Sequence, residues 1–331
     1  MDLQQRLSLM VKLGEYMQSS ETGWVDKKHL AEIKNSWFIQ PFIDLASANI
    51  SKEYLSLSKL NNWVNTYHLD NNINPVEVGV IIAGNLPMVG FHDLLSIFIC
   101  GHKQRIKCSS KDDVLITHLV EQLYKWEPQV KQWISFSERL NNCDAYIATG
   151  SNQSARYFEM YFKQDPHIIR KSKTGVAVLN GNEQEEDLIH ISDDMHTYFG
   201  RGCRNVTKIY VPEGYDFVPL LNASRKYSFF SDHNKYKNNY DYRLSLLMLN
   251  GLFYMTNGTL LLTEEDNLFS PIAVVNYSFY DNPEQLKQTL SNHSDIQCIS
   301  GTGYLPPGMA QQPQLTDYAD GVDTMQFLLS M

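Results

Sequence analysis

VEVGVIIAGNLP, residues 76–87, is the stretch whose reading decides the fold. Its first eight residues are rich in Val and Ile, too few for a helix, and Gly84-Asn85 and Pro87 end the run. A short continuous apolar run bounded in this way reads as a strand buried on both faces, as in a parallel sheet. Before it, DNNINP (70–75) is a polar break. Residues 1–75 carry helical spacing, as at Leu3, Leu7, Met10 and Val11, and again at Leu55, Leu57, Leu60 and Trp63. After it the pattern alternates. A helical stretch runs to about Gly101, RIKC (105–108) is a second strand, and Ser109 or Ser110 is placed to cap a helix over 112–125. WISF (133–136) and DAYIATG (144–150) are further strands, and Ser151 can cap a helix running through Phe162. Strands alternating with helices predict a mostly parallel, doubly wound sheet.

A second alternation starts near Gly175. GVAVLNG (175–181) and VTKIYVP (206–212) are strands around an acidic helix at 184–199. Helical patterns follow at 216–225 and 236–251, then strands TLLLT (259–263) and IAVVNYSFY (272–280). Asp281-Asn282-Pro283-Glu284 opens a helix, and DIQCIS (295–300) is the last strand. The reading is α/β: an N-terminal helical segment (1–75), a first lobe (76–174), a second lobe (175–305) and a tail (306–331).

Composition narrows the function classes. The net charge is −9 over 331 residues, with no Lys/Arg block, which speaks against a nucleic-acid binder. The five cysteines, 100, 108, 143, 203 and 298, are odd in number and contain no CxxC pair. Neither a disulfide framework nor a structural zinc site is indicated, and the thiols read as reduced and cytoplasmic. No continuous apolar core marks the N-terminus as an export signal. The most apolar stretch, 78–100, contains Asn85, Pro87, His92 and Asp93, which are costly in lipid, so no membrane span is expected. GxGxxG after a strand, GxxxxGK[ST], HExxH and GxSxG are all missing.

Cys203 differs from the other thiols, which sit in or beside apolar patterns and read as small buried hydrophobes. It lies in Phe199-Gly200-Arg201-Gly202-Cys203-Arg204, just before a strand. Glycines on either side of Arg201 let the backbone approach a ligand, and Arg201 and Arg204 would favour the thiolate. On residue types alone, a nucleophile and a glycine-rich turn that happens to hold a Cys are equally good readings. His196, two helical turns earlier, reads as a helix-face histidine rather than an acid–base partner. His92 and His102 read as structural, and no metal constellation is present.

The FGRGC segment followed by its strand resembles the active-site segment of the aldehyde dehydrogenase superfamily, where G-x-x-C holds the catalytic thiol. Further segments match in the same order. Ala83-Gly84-Asn85-Leu86-Pro87 resembles the turn carrying an oxyanion-binding Asn. Arg105-Ile106-Lys107-Cys108-Ser109-Ser110 resembles the strand end that meets the adenosine ribose, and Ala148-Thr149-Gly150-Ser151 the turn over the pyrophosphate. Phe269-Ser270-Pro271-Ile272 resembles the late F-G-P segment. Within the superfamily, FGRGC, SPIAVVNY and the terminal DYADGVDTMQFLL are most similar to the acyl-CoA (fatty acid) reductases of the LuxC type, over roughly residues 75–331.

The resemblance implies an aldehyde-dehydrogenase-like fold of two doubly wound α/β lobes, with the active site in the cleft between a nucleotide-binding lobe and a catalytic lobe. It implies Cys203 and Asn85 as catalytic residues. Ala83, Lys107, Ser109, Ser110, Thr149, Gly150 and Ser151 are implied as cofactor-binding. Ser110 and Lys111, where a carboxylate would favour a bare 2′-hydroxyl, tilt the cofactor to NADPH over NADH, with nearby Asp112 the opposing signal. The implied reaction is reduction of an acyl thioester to the aldehyde, from acyl-CoA or from an acyl group passed by a partner acyl-transferring protein. Two departures bear on it. His167–Lys173, where hydrolytic relatives carry a Glu, has no carboxylate, and the late Glu before F-G-P is replaced by Asn267. A hydrolytic aldehyde dehydrogenase and a non-catalytic acyl-carrying subunit are the alternatives. Too little chain precedes Asn85 for the hairpin arm of larger relatives, so a homo-oligomer would form differently.

Overall fold

The computed structural model describes residues 1–291 and 293–331. It comprises two compact units: Met1–Ser172 with Pro313–Met331, and Lys173–Gln312.

The first unit opens with four helices, α1 (Leu3–Met17), α2 (Thr22–Lys34), α3 (Gln40–Asn49) and α4 (Leu57–Thr66), with a π turn at Ile50–Tyr54. A capping box starts α1: the Gln5 N–H donates to Asp2 Oδ1 (2.8 Å), and the Asp2 N–H to Gln5 Oε1 (2.9 Å). Its buried face of Leu3, Leu7, Met10 and Leu13 follows the helical period. The alternating part follows as β1 (Glu77–Ile81), α5 (Phe91–Cys100), β2 (Lys103–Lys107), α6 (Leu115–Trp126), β3 (Ile134–Phe136), β4 (Ala145–Thr149), α7 (Asn152–Tyr161) and β5 (His167–Arg170). The strands form one parallel sheet ordered β3-β2-β1-β4-β5. The order reverses beside β1, which opens a crevice at the carboxyl ends of β1 and β4. Every residue of α5 except His92 is buried, which explains a helix apolar nearly all round.

Two local readings change. β5 was not expected: HIIR is four residues long, too short for its alternation to stand out. Its Arg170 is buried, ion-paired with Asp93 on α5. The helix expected over 112–125 begins at Leu115 and has no serine cap. Ser109 Oγ accepts instead from the Lys111 N–H (3.2 Å) in a local turn, and the Leu115 N–H faces the Asp112 carboxyl.

The second unit runs β6 (Thr174–Val178), α8 (Glu185–His196), β7 (Val206–Pro212), α9 (Val218–Ala223), α10 (Asn234–Leu249), β8 (Met255–Thr256), β9 (Leu261–Glu264), β10 (Val274–Tyr280), α11 (Pro283–Ser291) and β11 (Ile296–Gly301). Its sheet is ordered β11-β6-β7-β10-β9-β8, parallel throughout except for β8. Leu188, Ile191 and Met195 of α8 pack on Ile209 and Val211 of β7 and Leu262 of β9. The chain then rejoins the first unit and ends in α12 (Thr324–Leu329). There His102 Nε2 donates to the Leu328 carbonyl (3.0 Å) and His102 Nδ1 accepts from the Val76 N–H (3.2 Å), a structural role. Among the described residues, no helix is long and apolar enough to cross a membrane.

Candidate active site

The expected site residues of the first unit lie together. Ala83 and Asn85 follow β1, Lys107, Ser109 and Ser110 end or follow β2, and Thr149, Gly150 and Ser151 end or follow β4. These are the carboxyl ends of three adjacent strands, at the point where strand order reverses. The first two loops press on each other at Gly84. A Cβ there would lie 2.7 Å from Ser109 Oγ and 2.9 Å from Lys111 Cβ, so no larger residue fits without moving the neighbouring loop. After Asn85 the turn passes through Met88, which is 1% exposed and left-handed (φ 57°). The Met88 N–H donates to Asp112 Oδ2 (2.7 Å).

Asp112 is therefore turned into the protein, 2% exposed. Burial pushes its carboxyl up to about 7, against the opposing effect of the Met88 and Leu115 N–H groups. Asp113 binds Lys34 Nζ (3.0 Å). Lys107, Ser110 and Lys111 are exposed here, beside the Lys34-paired Asp113 side chain, which is 43% exposed. At the third loop, Ser151 Oγ accepts from the Ser154 N–H (3.2 Å) and caps α7, as the sequence suggested. Gly150 packs closely on that helix, where a Cβ would meet Ser154 Cβ at 2.9 Å. These groups fit a dinucleotide: N–H donors at the start of α7 for the pyrophosphate, and an amine and hydroxyls at the ribose end.

Cys203 belongs to the second unit, in the segment joining α8 to β7. Past the end of α8, Tyr198 (φ 56°, ψ 29°), Phe199 (φ 59°, ψ 28°) and Gly200 (φ 68°) are left-handed in succession. Each non-glycine residue there costs about 1–2 kcal/mol, so the surroundings must hold them. Phe199, 1% exposed, lies among Phe230 (ring centroids 4.4 Å), His233 (4.5 Å) and Tyr236 (5.7 Å).

Asn205, fully buried, fixes the backbone on both sides of the segment. Its Oδ1 accepts from the Gly202 N–H (2.7 Å), and its Nδ2 donates to the carbonyls of Thr197 (2.8 Å) and Asp194 (3.0 Å). The Asn205 carbonyl accepts from the Gly175 N–H of β6 (2.9 Å). A Cβ on Gly175 would lie 2.6 Å from the Arg204 carbonyl oxygen, so β6 runs directly against the chain beside Cys203. The Asp194 side chain anchors the end of α8 from the other side. It accepts from Ser300 Oγ (2.9 Å) and from the N–H groups of Gly308 (2.9 Å) and Ala310 (3.1 Å), and burial pushes its carboxyl up to about 6.

Cys203 is half-buried. Burial pushes the Cys100 thiol up to about 12, the Cys108 thiol to about 11 and the Cys143 thiol upward, which disfavours their thiolates. Cys108 and Cys298 are half-buried rather than buried: Cys108 follows the end of β2, and Cys298 lies on β11 with its Sγ 3.6 Å from the Arg204 carbonyl. His196 is a helix-face residue, as read. It stacks on Tyr227 (4.6 Å, 8°), its Nδ1–H donates to the Ser192 carbonyl (2.8 Å), and burial lowers it to about 4, leaving it neutral. Beside it a small cavity of about 20 Å³ is lined by Phe199, Tyr236, Leu260 and Ala273.

Neither position that departs from the hydrolytic pattern offers a free carboxylate. Within 167–173, Lys171 is ion-paired with Glu159 (2.8 Å) in addition to the Arg170–Asp93 pair. Asn267 Oδ1 accepts from the Phe269 N–H (3.0 Å) within a turn. Asn205, Gly175, Asp194 and the inward role of Asp112 escaped the sequence reading. The one available signal was a polar Asn at the threshold of the apolar VTKIYVP strand.

No family model matches this sequence, and no curated protein matches it. Solved structures do. A variant aldehyde dehydrogenase from Bacillus cereus aligns with a TM-score of 0.66 at 13% identity, covering 91% of this chain and 72% of that one. An indole-3-acetaldehyde dehydrogenase in complex with NAD+ aligns at 0.66 and 11%, covering 93% and 73%. An NADP-dependent enzyme from E. coli aligns at 0.66 and 9%, covering 91% and 73%. At such identities the likeness is one of fold, and the fold of this chain is the aldehyde-dehydrogenase-like α/β fold.

Proposed function

We propose that the protein reduces an acyl thioester to its aldehyde through an acyl group carried on Cys203, with NADPH as hydride donor. The observation that carries this reading is the Cys203 segment. A half-buried thiol follows a strained left-handed turn whose backbone a buried Asn holds, and such strain collects where a group must be held for chemistry. The lack of a free carboxylate at 167–173 and at Asn267 supports reduction over hydrolysis, because neither position offers a base to activate water.

In this reading Cys203 Sγ attacks the thioester carbonyl carbon, the bond from that carbon to the CoA sulfur breaks, and CoA leaves as its thiol. The resemblance to aldehyde dehydrogenases assigns the developing oxyanion to the Asn85 side-chain amide and the Cys203 N–H; one such donor is worth about 3 kcal/mol. NADPH, when bound, supplies the hydride that reduces the acyl carbonyl. The Cys203 thiohemiacetal then collapses, the carbon–sulfur bond breaks, and the aldehyde departs. Thr149, Gly150 and Ser151 would hold the pyrophosphate. Lys107, Ser110 and Lys111, with Asp112 turned inward, would favour a ribose 2′-phosphate. The acyl donor is acyl-CoA or an acyl group delivered by a partner protein.

Intact mass after mixing with an acyl-CoA tests the reading. We expect one acyl adduct, lost in Cys203→Ala and discharged by NADPH with release of aldehyde. Absence of the adduct refutes the nucleophile. Steady release of acid without CoA supports the hydrolytic alternative, and an adduct that NADPH never discharges supports the acyl-carrying one.

A further inference from the structure

We propose that Asp112 is a positioning residue: its carboxylate holds the Met88 backbone and so sets the turn that presents Asn85. This rests on the proposed role of Asn85. In sequence, Asp112 stands close to where a carboxylate would meet the ribose of a dinucleotide. Its geometry points the other way. Oδ2 receives the Met88 N–H at 2.7 Å, the Leu115 N–H also faces the carboxyl, and 2% exposure leaves nothing to meet a ligand.

Met88 needs such a hold. A left-handed, unbranched but bulky residue costs about 1–2 kcal/mol and persists only where its surroundings fix it. Asn85 lies three residues earlier, in a turn whose far end is closed by the Phe91 N–H donating to the Met88 carbonyl (2.9 Å). Its near end is pressed against Ser109 and Lys111 at Gly84. Through its bond from the Met88 N–H, Asp112 joins the Asn85 turn to the β2–α6 loop. A reacting geometry displaced by 1 Å can lose about 100-fold in rate, so loosening this bond should reach chemistry without touching substrate.

The test measures acylation of Cys203 by acyl-CoA without cofactor, NADPH binding by fluorescence, and hydrogen exchange at the Met88 amide. Asp112→Ala should slow acylation by about 10- to 100-fold, leave the NADPH Kd within about threefold, and speed exchange at Met88. Asp112→Asn keeps an oxygen acceptor and should restore both acylation and protection. An NADH Kd raised more than tenfold, or an NADPH Kd lowered more than tenfold, with acylation unchanged would instead make Asp112 a ribose ligand and overturn the proposal. So would a failure of Asn to rescue, or unchanged exchange at Met88. If Asp112→Ala does not fold, Asp112→Glu, one methylene longer, should show the same loss of acylation in a folded protein, and normal acylation there refutes the idea. If the wild type takes no acyl group, the reading of Cys203 and Asn85 fails, and the Met88 exchange decides the role of Asp112 separately.

Discussion

Replacing Asn205 by Ala should uncouple the Cys203 segment from the fold. The side chain is fully buried and bonds the Gly202 N–H at 2.7 Å and the Thr197 and Asp194 carbonyls at 2.8 and 3.0 Å. Truncation leaves one buried donor and two acceptors short of a partner, and an unpaired buried polar group costs about 1–3 kcal/mol. The lost side chain adds a cavity, so the gross loss is about 4–9 kcal/mol. The loop has a way to recover part of it. Tyr198 and Phe199 hold left-handed conformations at about 1–2 kcal/mol each, and a segment released from Asn205 can give that strain back. The expected net destabilisation is therefore about 2–5 kcal/mol, with Cys203 displaced while the sheet survives. Urea unfolding at unchanged m-value measures the stability, and acyl-CoA labelling of Cys203 measures the site. We expect labelling to fall by at least tenfold. A loss below about 1 kcal/mol with full labelling would refute the argument, because it would mean that Asn205 does not hold the turn.

Gly175→Ala approaches the same segment from β6. Its Cβ would sit 2.6 Å from the Arg204 carbonyl oxygen and 3.0 Å from that of Asn205, both main-chain atoms, so we expect a loss of about 2 kcal/mol or more and slowed labelling; an unchanged Tm would contradict this packing. The pH dependence of stability has a defined sign. The Asp112 carboxyl, about 7 when folded against an ordinary value of 3.8, binds a proton that the unfolded chain releases between about pH 4 and 7. Its contribution is thus fully present below pH 4 and is lost as pH rises through 7, with a ceiling of about 4 kcal/mol. Asp194 acts in the same direction up to about pH 6, whereas neutral, buried His196 favours the fold above pH 6.5 and is lost as pH falls towards 4. Asp112→Asn, which cannot ionise, should gain stability relative to the wild type at pH 8 but not at pH 4, measured as urea midpoints; equal differences at both pH values would refute a raised Asp112. Lys111→Glu reverses the charge of an exposed residue on the β2–α6 loop and should weaken NADPH at least tenfold relative to NADH in binding titrations; equal weakening of both would remove the case for 2′-phosphate recognition.

The sheets were legible because burial on both faces writes a simple signal. Val78 and Val80 are fully buried, and VEVGVIIA or VTKIYVP admits little but a central strand. The crevice was legible for a related reason. In a doubly wound sheet, strand ends and the loops after them are fixed by topology, so the residues following β1, β2 and β4 had to share one edge. β5 and β8 were missed because four and two residues cannot show a period. What holds the site was illegible for a deeper reason. Asp112 lies 24 residues from Met88, and Asp194 more than 100 from Ser300, and each acts by completing main-chain hydrogen bonds or by receiving a single hydroxyl. A pattern in residue type records burial and periodicity, but it carries no trace of which distant N–H lacks an acceptor. The same blindness put Asp112 beside the ribose: from sequence it is a carboxylate in a cofactor loop, and only its 2% exposure turns it toward the backbone of the neighbouring turn. The Cys203 segment leaves its mark in the glycines around it, whereas the residues that hold it in place look like ordinary polar residues until their partners are known.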